Sequence, residues 1–216
     1  LGGSYVPAEG ILPPGLPSYD PGLDGYAYDL EKAKAEMAAA GYGSDNLPPA
    51  IALYHNSSGD SPKVVQVLQQ DFAAIGVTVE LKPMDFGALL ASTKTGEPPM
   101  FHLGWVADYP DADNFLMLFH SKNIGPPGNR ARYSNPQVDE SLEQVRRLAD
   151  PEARMALNRA IEKRILEDAP WVVINHLQTR LFVKPYVKGF VLTGMDSGAE
   201  VSRLDFHEVE LGSPQP

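Results

Sequence analysis

Ser61-Pro-Lys-Val-Val-Gln-Val-Leu-Gln-Gln-Asp-Phe-Ala-Ala-Ile-Gly76-Val-Thr-Val-Glu-Leu81 is the stretch that decides the fold. Pro62 suits the first turn of a helix, where its missing N–H is no loss. Val64, Val65, Leu68, Phe72 and Ile75 then recur on one stripe at helical spacing. Gly76 ends that period, and Val77, Val79 and Leu81 alternate with polar residues as a half-buried strand does. An apolar run at residues 50–54, followed by a polar loop at 56–61, precedes the helix, so the stretch reads as a strand-helix-strand unit.

The alternation continues with a helix predicted at residues 85–93 and a strand at 100–106, which gives an α/β class: a mixed sheet with helices packed on it. Val65, Leu68, Phe72 and Val79 are its expected interior. Upstream, residues 1–27 are rich in Gly and Pro without periodicity and read as an extended connector rather than a packed element. Asp29 then serves as an N-cap for a helix carrying Leu30, Ala33, Met37 and Ala40 on one face, with Gly41 at its left-handed end. Downstream, Asn135-Pro136 and Asp150-Pro151 open two further helices. The first turns Val138, Leu142, Val145 and Leu148 inward; the second turns Leu157, Ala160, Ile161 and Ile165 inward and stops at Pro170. Strands are predicted at residues 171–175 and 180–183, with Lys184-Pro185 marking a return crossing.

The 216 residues, 43% hydrophobic and 21% charged, have the composition of a soluble globular protein. A net charge of -10, with dispersed Lys and Arg, argues against a partner read through nucleic-acid phosphates. The absence of cysteine excludes disulfides, thiolate metal sites and cysteine nucleophiles. No apolar run approaches the roughly 20 residues that cross a bilayer. The chain opens on Leu1-Gly-Gly-Ser-Tyr without an initiator Met or a leader pattern, and this start reads as a cut, with any export signal removed or lying outside the sequence.

The chemistry concentrates in Met100-Phe-His-Leu-Gly-Trp105-Val-Ala-Asp108-Tyr-Pro-Asp111-Ala-Asp113-Asn-Phe-Leu-Met-Leu-Phe119, where an apolar run gives way to carboxylates, aromatics and a proline. A strand ending at Trp105 leaves Asp108 and Tyr109 on a loop above the sheet edge, the usual place for binding groups on a rigid scaffold. Trp105 and Tyr109 offer flat contact area to a ligand, with core burial the alternative for Trp105. The three carboxylates do not make a calcium loop, because the twelfth position counted from Asp108 is Phe119 and not Glu. Asp111 or Asp113 instead reads as the cap of a short helix through residues 114–119. The five histidines lack metal-ligand spacing, and no nucleophile elbow, phosphate loop or dinucleotide turn is present, so no enzyme, metal or cofactor is expected.

The same string resembles the GW-x-x-D-Y-P-D-P-x-x-F-L signature of the extracytoplasmic substrate-binding proteins of peptide, nickel and opine ABC importers. Further matches are the proline-rich start, the helix at residues 28–42, Ile75-Gly76-Val77, Tyr133-Ser-Asn-Pro-Gln-Val-Asp139, Arg154 with its helix, and Asp168-Ala-Pro170. Ala112 departs from the pattern, which usually has Pro there, and His102 departs from members with an Arg at that place.

The resemblance implies one lobe of a type II periplasmic-binding-protein-like fold. Residues 1–27 would come from a missing first lobe, 28–185 would form the second lobe, and 186–216 would return toward the first. It also implies that Asp108 holds the ligand's cationic amino group, the alternative being a turn-forming Asp whose carboxylate bonds neighbouring backbone, with Trp105, Tyr109 and His102 as further ligand contacts. The implied partners are a peptide or other small amine-bearing solute, the permease subunits of an ABC importer and the missing lobe. The implied place is periplasmic or at the cell surface, with a lipid anchor in the missing N-terminus as one form. The alternatives from other classes are a stand-alone interaction domain, distinguished by the lack of an upstream signal and first lobe, and a hydrolase, distinguished by turnover of peptides or glycosides.

Overall fold

The computed structural model describes residues 5–178, 182–188 and 210–211. In chain order the first elements are β1 (Tyr5–Pro7), α1 (Leu30–Ala39), β2 (Ile51–Asn56), α2 (Ser61–Ala74), β3 (Val79–Met84), α3 (Phe86–Thr95) and β4 (Met100–His102). They are followed by α4 (Asp113–Leu116), α5 (Pro136–Val145), α6 (Pro151–Asp168), β5 (Asn175–Leu177), β6 (Val187–Lys188) and β7 (Glu210–Leu211). The chain packs as two units. One is Asp24–Val106 with Met117–Arg147; the other is Leu1–Leu23, Ala107–Leu116 and Leu148–Pro216.

The first unit is built on a three-stranded sheet in the order β3-β2-β4. Both pairings are parallel, with Ile51 opposite Val79 and Leu53 opposite Met100. Helices must therefore carry the chain back between strands, and α2 does so from β2 to β3. The α/β class read from the sequence is present; the antiparallel pairings, β1 with β5 and β6 with β7, form separate ladders. Leu53, Val65, Val77 and Val79 make the core, with Met37, Phe72, Ile75, Leu81 and Met100 packed against it. Phe72 and Leu68, expected inside, are only half-buried, because α2 covers the sheet with a narrow stripe whose one fully buried residue is Val65.

Local signals set the helix ends. Asp29 accepts from the Lys32 amide, Asp85 from Ala88, Asn135 from Val138 and Gln137, and Asp150 from Ala153. Gly41 and Gly76 hold the left-handed turns that follow α1 and α2, at φ 86° and 81°. On α1, Leu30, Ala33 and Met37 are half-buried as the spacing predicts, while Ala40 is exposed. On α5, Val138, Leu142 and Val145 are buried, and Leu148 lies beyond the helix end.

The strand predicted at residues 100–106 stops at His102. Its partner β2 is nearly at its end: His55 pairs with His102, and only Asn56 remains of β2. The strand predicted at 171–175 also shifts, to Asn175–Leu177, because its register is set by β1, with Pro7 opposite Asn175 and Tyr5 opposite Leu177. Of the strand predicted at 180–183, residues 180 and 181 lie outside the described residues, and 182 and 183 are not in a strand.

The second unit is organised by α6, whose buried side chains are Asn158, Ile161, Glu162 and Ile165. Two polar residues thus occupy the inward stripe where Leu157 and Ala160 were expected; Leu157 is half-buried and Ala160 exposed. Glu162 Oε1 accepts from the amides of Ile11, at 2.7 Å, and Leu12, at 2.8 Å. Asn158 donates to Ser18 Oγ at 3.0 Å, and Arg159 donates to the carbonyls of Ser18 and Tyr19. Within the segment read as an extended, unpacked connector, Ile11 and Leu12 are packed, at 4% and 1% exposure. Gly10 permits this approach, since a Cβ there would lie 2.6 Å from Glu162 Oε1 and overlap Leu23.

Two outcomes test this packing. Leu53→Ala, in the central strand, should destabilise the chain by about 2–5 kcal/mol; an unfolding midpoint in urea that does not move would refute the assignment of the core. Burial pushes the Glu162 carboxyl above the usual carboxylate range, the Leu12 and Ile11 amides pull it partly back, and Asp20 pushes it up again. A folded-state pKa raised in this way stabilises the chain fully below the unfolded pKa, and that contribution is lost as pH rises through the folded value. Glu162→Gln keeps an oxygen for both amides and removes the titration. Urea midpoints followed from pH 4 to 8 should fall with pH more steeply in the wild type than in the variant, and parallel profiles would show that Glu162 is not the titrating group.

Candidate functional site

The carboxyl end of a parallel strand is where an α/β sheet presents its chemistry, and β2 and β4 bring His55 and His102 side by side there. His55 is 4% exposed, and its Nδ1 lies 2.8 Å from the Asn56 carbonyl. A carbonyl only accepts, so Nδ1 carries the proton and Nε2 is bare in the neutral ring. His102 is half-buried, with Nδ1 2.8 Å from the Ser61 hydroxyl at the start of α2. Burial, and secondarily the His55 ring, hold the His102 pKa below the usual histidine range. At neutral pH His102 is a neutral hydrogen-bonding group, unlike the arginine with which the sequence pattern invited comparison.

Trp105, expected as the end of the strand, lies three residues beyond β4 and is half-buried. His102 and Trp105 belong to the sheet unit, Asp108 and Tyr109 to the α6 unit.

Within the α6 unit, the loop at residues 108–113 is tied at each of its acidic positions. Asp108 is exposed; its backbone N–H donates to Asn114 Oδ1 at 3.2 Å, and Asn114 Nδ2 donates to Asp108 Oδ2 at 3.5 Å. The Tyr109 hydroxyl donates to Asp113 Oδ2 at 2.9 Å. Burial and the neighbouring Asp113 raise the Tyr109 pKa, so the phenol stays protonated as that bond requires. Of the two carboxylates expected to cap α4, Asp111 does so, accepting from the Asp113 amide at 2.8 Å. Arg154 of α6 reaches the same Asp111 oxygen at 2.9 Å. An aspartate turn, a helix start and an ion pair thus converge on one residue, and the loop above it is pinned.

Among the described residues, no group of three or more metal-ligating side chains is gathered closely enough to hold an ion. Sequence reasoning missed four residues of this arrangement: Asn114, Ser61, His55 and the pairing role of Arg154. Only one of these left a usable signal. His55 closes the apolar run at residues 50–54, whereas His102 lies inside the run at 100–106, and it is the register of β2 with β4 that sets the two side by side.

The profile of the bacterial extracellular solute-binding proteins, family 5 Middle, matches residues 1–127. Di/tripeptide-binding protein 2 of Pseudomonas aeruginosa is 32% identical, over 98% of this chain and 39% of its own length. Heme-binding protein A of Haemophilus influenzae is 33% identical, over 88% of this chain and 35% of its own. Among solved structures, the ABC transporter-associated periplasmic binding protein DppA from Helicobacter pylori, in complex with the peptide STSA, superposes with a TM-score of 0.77. It is 29% identical, and the match covers 98% of this chain and 40% of that one. The chain therefore spans about two-fifths of the length of such relatives. With its α/β fold, its pinned acidic loop and a profile match over more than half its residues, this chain belongs to family 5 of the bacterial extracellular solute-binding proteins.

Proposed function

We propose that this chain forms one wall of a ligand cleft in a binding protein that captures small peptides, or another amine-bearing solute, and delivers them to an ABC importer. In this reading residues 28–185 are the second lobe, and the remaining segments join a first lobe that the sequence does not include. The protein works outside the cytoplasm, with the permease subunits as its membrane partners and no chemical conversion of its cargo.

The observation that carries the reading is Asp108: an exposed carboxylate on a loop otherwise tied down by Asn114, Asp113 and Arg154. A carboxylate so held accepts a charge-assisted bond from an ammonium group without first having to be ordered. Tyr109, on the same loop, supplies flat apolar contact. Similarity to a di/tripeptide-binding protein and to a peptide-bound periplasmic protein supports the choice of ligand class.

The test is calorimetry on the complete polypeptide that carries this sequence, with trialanine and N-acetyl-trialanine as probes. Asp108→Asn should weaken trialanine binding by about 1.5–3 kcal/mol, the worth of a hydrogen bond to a charged group, and leave the acetylated peptide's affinity nearly unchanged. Equal affinities of wild type and variant for trialanine would remove Asp108 from the ligand site.

A further inference from the structure

Asn114 is wholly buried, at 0% exposure, yet both ends of its side-chain amide turn to a residue six positions earlier on an exposed loop. The orientation of the amide is fixed by chemistry. The Asp108 backbone N–H can only donate, so Oδ1 must face it, which places Nδ2 against the Asp108 carboxylate. Asn114 is in turn seated by its own backbone, whose N–H donates to the Asp111 carbonyl at 3.1 Å, and Asp111 is held by Arg154. A chain of bonded groups thus runs from helix α6 through Asp111 and Asn114 to Asp108, entirely inside one compact unit.

We propose that Asn114 is the positioning residue for Asp108, its buried amide gripping the Asp108 backbone and one carboxylate oxygen so that the carboxylate is presented to the ammonium group of a peptide. The inference rests on the reading of Asp108 as the ammonium acceptor. At 3.5 Å the bond from Nδ2 to Oδ2 is a long one, so it orients the carboxylate without quenching its charge. The shorter bond, from the Asp108 N–H, fixes the backbone from which that side chain projects. No other residue type of this size supplies both functions. Leucine fills the same space with neither, and aspartate offers the acceptor but sets a second negative charge against the first.

The experiment has an arm that needs no ligand and an arm that does. In the unmodified protein, hydrogen exchange at the Asp108 amide should be slow for an exposed loop, and in Asn114→Leu and Asn114→Ala it should rise by about tenfold or more, toward the rate of an unbonded amide. Fast exchange in the wild type overturns the proposal without any variant.

In the binding arm, the preference for trialanine over N-acetyl-trialanine should fall about fivefold or more in either variant, with the acetylated peptide's affinity nearly unchanged. In an Asp108→Asn background, Asn114→Leu should change that preference no further, as expected of two residues acting as one unit. Equal weakening of both peptides, or a change of preference that persists when Asp108 is already gone, reduces Asn114 to a packing residue and overturns the proposal. A wild type that does not distinguish the two peptides refutes the Asp108 reading and this proposal with it, while the exchange arm still reports whether the grip itself exists.

Discussion

A buried carboxylate is tolerable only where its hydrogen-bonding capacity is used, and the α6 unit is arranged around that requirement at Glu162. Its single oxygen Oε1 serves two main-chain amides from the other end of the chain. Truncating it would leave two buried N–H groups without partners, at about 1–3 kcal/mol each. Residues 154, 158 and 162 fall at steps of four along the same helix, and each fastens a different stretch of the chain, the first two through side chains and Glu162 through main-chain amides. Arg154 takes the loop at residues 108–113 through Asp111, Asn158 takes Ser18, and Glu162 takes Ile11 and Leu12. One helical stripe is therefore the common reference for the N-terminal segment and for the loop that bears Asp108. The loop is held both by its own residues and, through Arg154, by that helix.

The sheet unit solves a different problem by register alone. Parallel pairing sets the next-to-last residue of β2 beside the last of β4, so His55 and His102 become neighbours although far apart in sequence. Burial keeps His102 neutral, and Ser61 at the head of the next helix occupies its Nδ1. The strands that carry these groups are fixed by an apolar core of Leu53, Val65, Val77 and Val79.

What the sequence disclosed follows from which forces are local. N-caps at Asp29, Asn135 and Asp150, and the stop at Gly76, act over three or four residues, and all could be placed by inspection. The apolar stripe of α5 was equally legible. The inward stripe of α6 was not, since a rule that sends apolar residues inside ranks Leu157 and Ala160 above Asn158 and Glu162, and only their partners some 140 to 151 positions away reverse the order. Strand ends failed for the same reason: β4 stops within a residue of the end of β2, and β5 starts where β1 allows. In the loop, Asp108 stood out as a carboxylate after a strand, but the residue that holds it was an unremarked Asn in a short helix.

The bond from Glu162 to the Ile11 amide joins residues 151 positions apart, whereas β2 and β3 are linked through a single helix. Loop-closure entropy grows only logarithmically, by about 0.6 kcal/mol for each doubling of length, so the longer loop costs roughly 1.5 kcal/mol more to close, a cost shared by all the contacts it brings together. Its burden falls on the search for the native state, which slows as contacts become less local. The α6 unit is made of three separated pieces of chain, and its last fastening helix does not begin until Pro151. During synthesis Ile11 and Leu12 precede their partner Glu162 by 151 and 150 positions, so these bonds form only after that stretch has emerged.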